Sequence, residues 1–373
     1  MAGSLHTHSG PHHEPRDYAR TPLNVYWEMT QACALACRHC RAEAMPSAHP
    51  NELTYQESLA FLDQLGDFGQ PLPHLILTGG DPLNRPDLFQ LIAESRRRKI
   101  GVSITPAATA NLTFDVLKRL QEAGIEGLGL SLDGSTAASH DAIRGVPGTF
   151  ARTMQAIEWA RGLEIPIQIN TLAAAETAHD VPAIYELLKP HGIARWSMFF
   201  LISVGRGKVL QPLSPEDSER LMAWIFDVSK DSPFIVATTE APSYRRVAIE
   251  LMRAQGLTGD QMKRSGPLRG AGIRDGHGIM FVSNTGEICP AGFLPISAGN
   301  VRTHRVADVY REAPLFKSLH DPRQFEDRCG YCEYNALCGG SRARAYEATG
   351  TPLGTDPLCL YVPRHAPGSD TNS

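Results

Sequence analysis

Three cysteines, Cys33, Cys37 and Cys40, stand within the eight residues CALACRHC. Their i, i+4, i+7 spacing would line one helix face with small apolar side chains. Cysteines two residues apart beside His39 also suit zinc, although structural zinc usually takes two separated pairs. The third reading is an iron–sulfur cube. Such a cube normally takes four thiolates, so a trio leaves one iron open for chemistry. The polar residues Arg38, His39 and Arg41 keep periodicity alone from choosing among these. A second group, Cys329, Cys332 and Cys338 with Cys359 downstream, supplies four thiolates, a closed set for a cube or for zinc. Cys289 is left over. A buried inert thiol is the common fate of such a residue; a cluster or substrate ligand and a hydrogen-atom donor are the chemical alternatives.

The elements that must position the first trio follow a regular order. Apolar, β-branched or aromatic runs at 23–29, 74–78, 101–105, 127–133, 165–171 and 195–201 read as six strands. Helical patterns at roughly 54–68, 86–99, 113–123, 149–162, 180–190 and 215–229 lie between them. Strand and helix alternating in this way imply parallel strands with right-handed crossovers. The chemistry of such folds sits where strands end and loops begin. CALACRHC follows the first strand, and TGGD (78–81), SLDG (131–134) and INT (169–171) mark further strand ends. After about residue 230 the alternation is expected to stop, and GIMFVSNTGEICPAGF reads as two short strands joined by an Asn-Thr-Gly turn.

Bulk properties narrow the function. With 42% apolar residues, 20% charged residues and a net charge of −4, the chain lacks the basic footprint of a nucleic-acid binder, and no apolar run reaches a membrane span. A small-molecule or peptide substrate is the expectation. No apolar signal segment opens the chain, so a cytoplasmic location with reduced cysteines is expected, and clustered cysteines there favour metal over disulfides. His6, His8, His12 and His13 lie among Gly, Ser and Pro and read as a tail. The RRRK run at 96–99 sits at a helix end, where positive charge complements the dipole.

With C-x3-C-x2-C after the first strand and GGD after the second, the sequence resembles the radical S-adenosylmethionine enzymes. The resemblance implies a partial (β/α)6 TIM-like barrel followed by a small C-terminal α+β SPASM/twitch iron–sulfur module. It also implies an oxygen-sensitive enzyme that cleaves S-adenosylmethionine reductively, giving a 5′-deoxyadenosyl radical that takes hydrogen from substrate. On this view Cys33, Cys37 and Cys40 hold the catalytic 4Fe-4S cluster, and His39 stands beside the adenine where the family usually has another aromatic. Gly79 and Gly80 let backbone approach the methionine amino group, with Asp81 as acceptor where the family more often has Glu. The plain structural alternative for Asp81 is a cap before Pro82. Ser131, Asp133 and Asn170 are placed to bind ribose or the methionine carboxylate, and Arg144 to pair with a carboxylate.

The second module, with C-x2-C-x5-C and a downstream cysteine, resembles SPASM or its shortened form, twitch, and implies one auxiliary 4Fe-4S cluster on Cys329, Cys332, Cys338 and Cys359. Fewer cysteines than in the full extension leave no second auxiliary cluster. The expected division is a tail at 1–20, a radical barrel at 21–230, a bridge at 231–275, the auxiliary module at 276–363 and a tail at 364–373. Motif wording is most similar to members acting on iron tetrapyrroles in haem d1 and alternative haem synthesis, by side-chain oxidation or decarboxylation. Arg206, Arg245, Arg246, Arg269, Arg274 and His277 are candidates to meet propionates, or are plain surface. An epimerase using Cys289 as hydrogen donor and a peptide maturase are the alternatives, although the segment before the first strand is short for a leader-recognition domain. A flavodoxin or ferredoxin is the implied reductant.

Overall fold

The computed structural model describes residues 16–268 and 270–364. The histidines of the expected tail, Arg269 and residues 365–373 lie outside these described residues. The chain runs β1 (Asn24–Glu28), α1 (Tyr55–Gln64), β2 (His74–Thr78), α2 (Leu88–Arg97), β3 (Val102–Ile104), α3 (Phe114–Glu122), β4 (Gly127–Ser131), α4 (Ala137–Arg144), α5 (Thr149–Gly162) and β5 (Ile167–Ala173). It continues with α6 (Val181–Leu188), β6 (Arg195–Phe200), α7 (Pro215–Ser229), β7 (Ile235–Thr239), α8 (Tyr244–Ala254), α9 (Gly259–Lys263), β8 (Ile279–Val282), β9 (Glu287–Cys289) and β10 (Gly299–Asn300). Four helices close it: α10 (Val306–Glu312), α11 (Pro314–His320), α12 (Asp327–Gly330) and α13 (Arg342–Thr349).

Local chemistry explains the helix starts. Thr54 and Glu57 form a reciprocal capping box on α1, Thr113 caps α3, and Ser214 caps α7 ahead of Pro215. At the other end of α4, Gly145 adopts φ 71°, the left-handed turn glycine allows, and an added Cβ would lie 2.7 Å from the Ala36 carbonyl oxygen.

All ten strands form one sheet in the order β10-β9-β8-β1-β2-β3-β4-β5-β6-β7, so the barrel is open between β7 and β10. Strands β1 to β7 are parallel. Two expectations need correction. The alternation does not stop near 230, because β7 pairs in parallel with β6 as a seventh barrel strand. Nor does the later hairpin stand apart: β8 pairs in parallel with β1, and β9 turns back on it. The tail expected through residue 20 also starts to pack earlier. Arg16 donates to the Pro22 oxygen (2.8 Å) and the Leu72 oxygen (3.0 Å).

Alternation along each strand separates two environments. Outward residues such as Val25, Trp27, Leu75 and Leu77 are buried against the helices, with the Trp27 and Phe61 rings 5.2 Å apart edge to face. Inward residues are mixed: Asn24, Tyr26, Ser103, Gly129, Gln168 and Asn170 stand beside apolar Ile76, Phe199 and Phe281. Closed barrels fill that interior with branched apolar side chains. Here it stays hollow.

Candidate active site

The cysteine loop is pinned on three sides by backbone. Behind it, the Gly80 amide donates to the Thr30 oxygen (2.8 Å) and the Asp81 amide to the Ala32 oxygen (2.8 Å). Beside it, the Arg38 amide reaches the Ile143 oxygen in α4 (2.9 Å). Below the last cysteine, the Arg206 amide bonds the Cys40 oxygen (3.0 Å). Contact is so close that a Cβ on Gly79 would lie 2.5 Å from the Thr30 oxygen, and one on Gly80 2.5 Å from the Ala32 oxygen. These glycines therefore seat the cysteine loop on the end of β2.

Cys33, Cys37 and Cys40 all line one cavity of about 1390 Å³. Gly79, Gly80, His39, Ser131, Asp133, Arg144 and Asn170 line it too, so the structure brings together most of the residues expected at the site. Burial pushes the Cys33 thiol up to about 11, so it would need a metal to hold it as thiolate near neutral pH. Cys37 Sγ accepts from the Arg144 guanidinium (3.7 Å). Arg144 also lies 2.5 Å from Asp133 Oδ2, while Asp133 Oδ1 accepts the Leu172 amide (2.8 Å). Burial is the largest influence and works to raise the Asp133 pKa, yet Arg144, His39, His140 and the Leu172 amide together outweigh it and the carboxyl stays below its usual range. Burial holds the half-buried His39 ring down to about 4, hence neutral, and its Nδ1 is buried without a protein partner. Ser131 and Asn170 face each other across adjacent strands, Asn170 Oδ1 accepting from Gln168 Nε2 (2.8 Å).

Two expected members are elsewhere. Asp81 does not line the cavity; its carboxylate caps the turn at the Leu83 amide (3.1 Å) and accepts from Thr109 Oγ1 (2.9 Å), which ties the β2 and β3 loops together. The capping alternative therefore describes Asp81. Cys289 is buried in β9 opposite Phe281 and does not line the cavity, with burial pushing its thiol up to about 12. The propionate candidates also separate. Arg206 clamps the cysteine loop through the Cys37 (3.1 Å) and Ala44 (3.2 Å) oxygens, and Arg246 is taken by Glu219 and Glu250 (2.9 Å). His277 Nδ1 lies 2.8 Å from the Gly272 oxygen. Arg245 and Arg274 line the cavity, but both are held by backbone carbonyls.

Residues that the motifs did not indicate complete the lining. Arg195, Gln168 and Ser197 face inward from β5 and β6. Glu240 and Asp275 form a buried acid pair, where burial first and mutual repulsion second raise Glu240 well above a normal carboxyl. Ser341 Oγ donates to Glu240 (2.6 Å) and the Ala343 amide to Asp275 (2.9 Å), joining this pair to α13.

Cys329, Cys332, Cys338 and Cys359 line a second, small cavity. Each sulfur receives a donor: Arg342 at Cys329 (3.5 Å), the Tyr334 amide at Cys332 (3.5 Å), the Gly340 amide at Cys338 (3.4 Å) and Arg246 at Cys359 (3.9 Å). Such donors stabilise thiolate sulfur and suit an anionic cluster. Among the described residues no three Cys, His, Asp or Glu side chains converge as ligands of one ion. A cube, whose irons stand apart, does not require that convergence.

An open parallel barrel with a three-cysteine loop after β1 and a glycine pair after β2 defines the radical S-adenosylmethionine class, and the chain belongs to the radical SAM superfamily, whose sequence profile matches residues 27–188. It is similar to the AdoMet-dependent heme synthase of Methanosarcina barkeri, 36% identical over 342 residues, covering 92% of this chain and 97% of that one. The enzyme of the same name from Oleidesulfovibrio alaskensis is 35% identical over 370 residues, covering 97% and 94%. In fold it is similar to Streptococcus suis SuiB bound to S-adenosylmethionine, with TM-score 0.69 and 18% identity over 92% of this chain and 78% of that one. The family's 4Fe-4S cluster and S-adenosylmethionine are its cofactors, and SPASM-type members carry an auxiliary cluster besides. Three cavity-lining thiols, an unpartnered His39 nitrogen and the glycine-paved wall fit that cofactor pair.

Proposed function

We propose that this enzyme abstracts hydrogen from a carboxylate-bearing side chain of an iron tetrapyrrole, leading to oxidation or decarboxylation of that side chain. When bound, the cluster and S-adenosylmethionine together supply the 5′-deoxyadenosyl radical. The protein's part is to hold, orient and shield. Cys33, Cys37 and Cys40 hold the cube in this reading, and Gly79 and Gly80 keep the wall beside the methionine free of side chains. Ser131, Asp133, Asn170 and Arg144 furnish polar contacts to the nucleotide, and His39 lies against the adenine. Cys329, Cys332, Cys338 and Cys359 hold a closed auxiliary 4Fe-4S cube. The catalytic module is the expected 21–230 stretch extended by β7 and flanked beyond β1 by the β8–β9 hairpin, and the auxiliary module is the remainder of the expected 276–363 stretch.

One observation carries the substrate reading. Arg195, Arg206, Arg245 and Arg274 line the cavity, yet among the described residues none has a carboxylate within ion-pair distance, their hydrogen bonds going to Ser197 or backbone oxygens. The remaining acids on that wall are the Glu240–Asp275 pair, held protonated in part by burial. A large cavity with surplus guanidinium charge suits a ligand bearing several carboxylates. Relatives of about 35% identity over nearly the whole chain are named heme synthases, which agrees with an iron tetrapyrrole. A flavodoxin or ferredoxin supplies the electron, and the enzyme works in the cytoplasm; among the described residues no helix is long and apolar enough to cross a membrane.

The test is anaerobic turnover of the reconstituted enzyme with dithionite and S-adenosylmethionine. Iron coproporphyrin should raise the yield of 5′-deoxyadenosine and itself lose carboxylate mass. Unchanged nucleoside yield with intact porphyrin would overturn the substrate assignment.

A further inference from the structure

Arg195 opens β6 and faces the cavity from the end of the strands opposite the cysteine loop. It pairs with Gln168 on β5 and with Ile235 on β7. Its one hydrogen bond runs from Nε to Ser197 Oγ (3.3 Å). Both terminal nitrogens are without a partner among the described residues, whereas Arg245 and Arg274 spend both of theirs on backbone carbonyls and Arg206 spends one, at the cysteine loop. Because Ser197 accepts from Arg195, its hydroxyl hydrogen remains free to donate, and this side chain is buried. Tyr26 turns inward from β1 and lines the same cavity; burial raises its pKa and the Arg195 charge works against that rise. Burial works against the charge on Arg195, and no acid offsets it.

A partly buried guanidinium with idle donors, with the Ser197 hydroxyl beside it and Tyr26 lining the same cavity, is a site prepared for an anion. We propose that Arg195, with Ser197 and Tyr26, anchors a non-reacting carboxylate of the substrate at the floor of the barrel. The proposal rests on the polycarboxylate substrate argued above. The five steps from Arg195 to Phe200 along β6, at about 3.3 Å each, put this anchor roughly 17 Å below the loop end of the sheet. An extended ring system with carboxylates on opposite edges matches that separation, one edge held at the floor while the other meets the radical. Arg195 is thereby a positioning residue for which propionate is presented.

The test uses the reconstituted full chain and anaerobic absorbance titration with iron coproporphyrin and with its methyl ester. Wild type should bind the acid more tightly than the ester. In Arg195→Gln the acid should bind at least about tenfold more weakly, the size of a lost charged hydrogen bond, and the preference over ester should shrink. Ser197→Ala should show a smaller loss and Arg195→Lys an intermediate one, each with wild-type iron content to show an intact fold. If wild type binds the acid but Arg195→Gln and Ser197→Ala bind it equally well, the anchor is wrong while the substrate class stands. If wild type binds neither compound, the substrate reading fails and the anchor falls with it.

Discussion

Arg144 of α4 meets Asp133 at 2.5 Å, joining the helix that braces the cysteine loop to the end of β4. Both side chains are largely buried, and the same guanidinium reaches Cys37 Sγ at 3.7 Å. One ion pair therefore ties barrel strand, helix and cluster loop together.

Breaking that pair leaves a buried charge without its partner. Asp133→Ala or Arg144→Ala should destabilise the protein by about 3–5 kcal/mol. The double variant should recover part of that loss, as urea denaturation would measure. A double variant whose cost equals the sum of the singles would show that the two residues act independently.

Gly80 tests the seating of the loop. Gly80→Ala places a methyl 2.5 Å from the Ala32 oxygen and 2.6 Å from the Gln31 oxygen, so it should cost about 1–3 kcal/mol and lower iron incorporation. Gly162, the last residue of α5, has nothing within 4 Å of an added Cβ, and Gly162→Ala should be neutral or stabilising by about 0.5–1 kcal/mol. Equal effects from the two changes would refute the close approach.

Much of this architecture was readable beforehand, because alternating apolar runs and capped amphipathic stretches are local signals. The helical pattern at 149–162 is α5 to the residue, and the run at 74–78 is β2. β7, IVATT, is five residues long and ends in two polar threonines, so its apolar run is brief even though its β-branched residues suit a strand. Sequence proximity could not show that Asp81 serves Thr109, since that bond joins different loops. Arg195 was hidden for a related reason. It begins the aromatic run RWSMFF, and only the strand's alternation within a hollow barrel turns it toward a ligand.

Iron content separates the cysteines. Replacing Cys338 by Ala should remove one cube, about four irons of about eight per chain, while leaving the other in place. Cys289→Ala should retain iron and turnover, since Cys289 does not line the cavity. Turnover lost with iron retained would restore the hydrogen-donor role.

The Glu240–Asp275 pair predicts a pH dependence. Unfolded carboxyls ionise near pH 4–5, whereas burial and mutual repulsion hold Glu240 protonated well above that range. Between those limits the folded state binds more protons than the unfolded one, so the contribution is full below the unfolded value and declines as pH rises through the folded one. Glu240→Gln should remove this decline. Melting temperatures at pH 5 and pH 8 should move in the variant's favour at the higher pH, and an offset independent of pH would contradict the raised Glu240 carboxyl.

The most direct measurement of hydrogen abstraction is isotopic. Iron coproporphyrin deuterated along its propionate side chains, incubated without oxygen with reduced enzyme and S-adenosylmethionine, should pass deuterium into 5′-deoxyadenosine as carboxylate is lost. Vigorous formation of unlabelled 5′-deoxyadenosine, with the deuterated porphyrin recovered intact, would contradict the account.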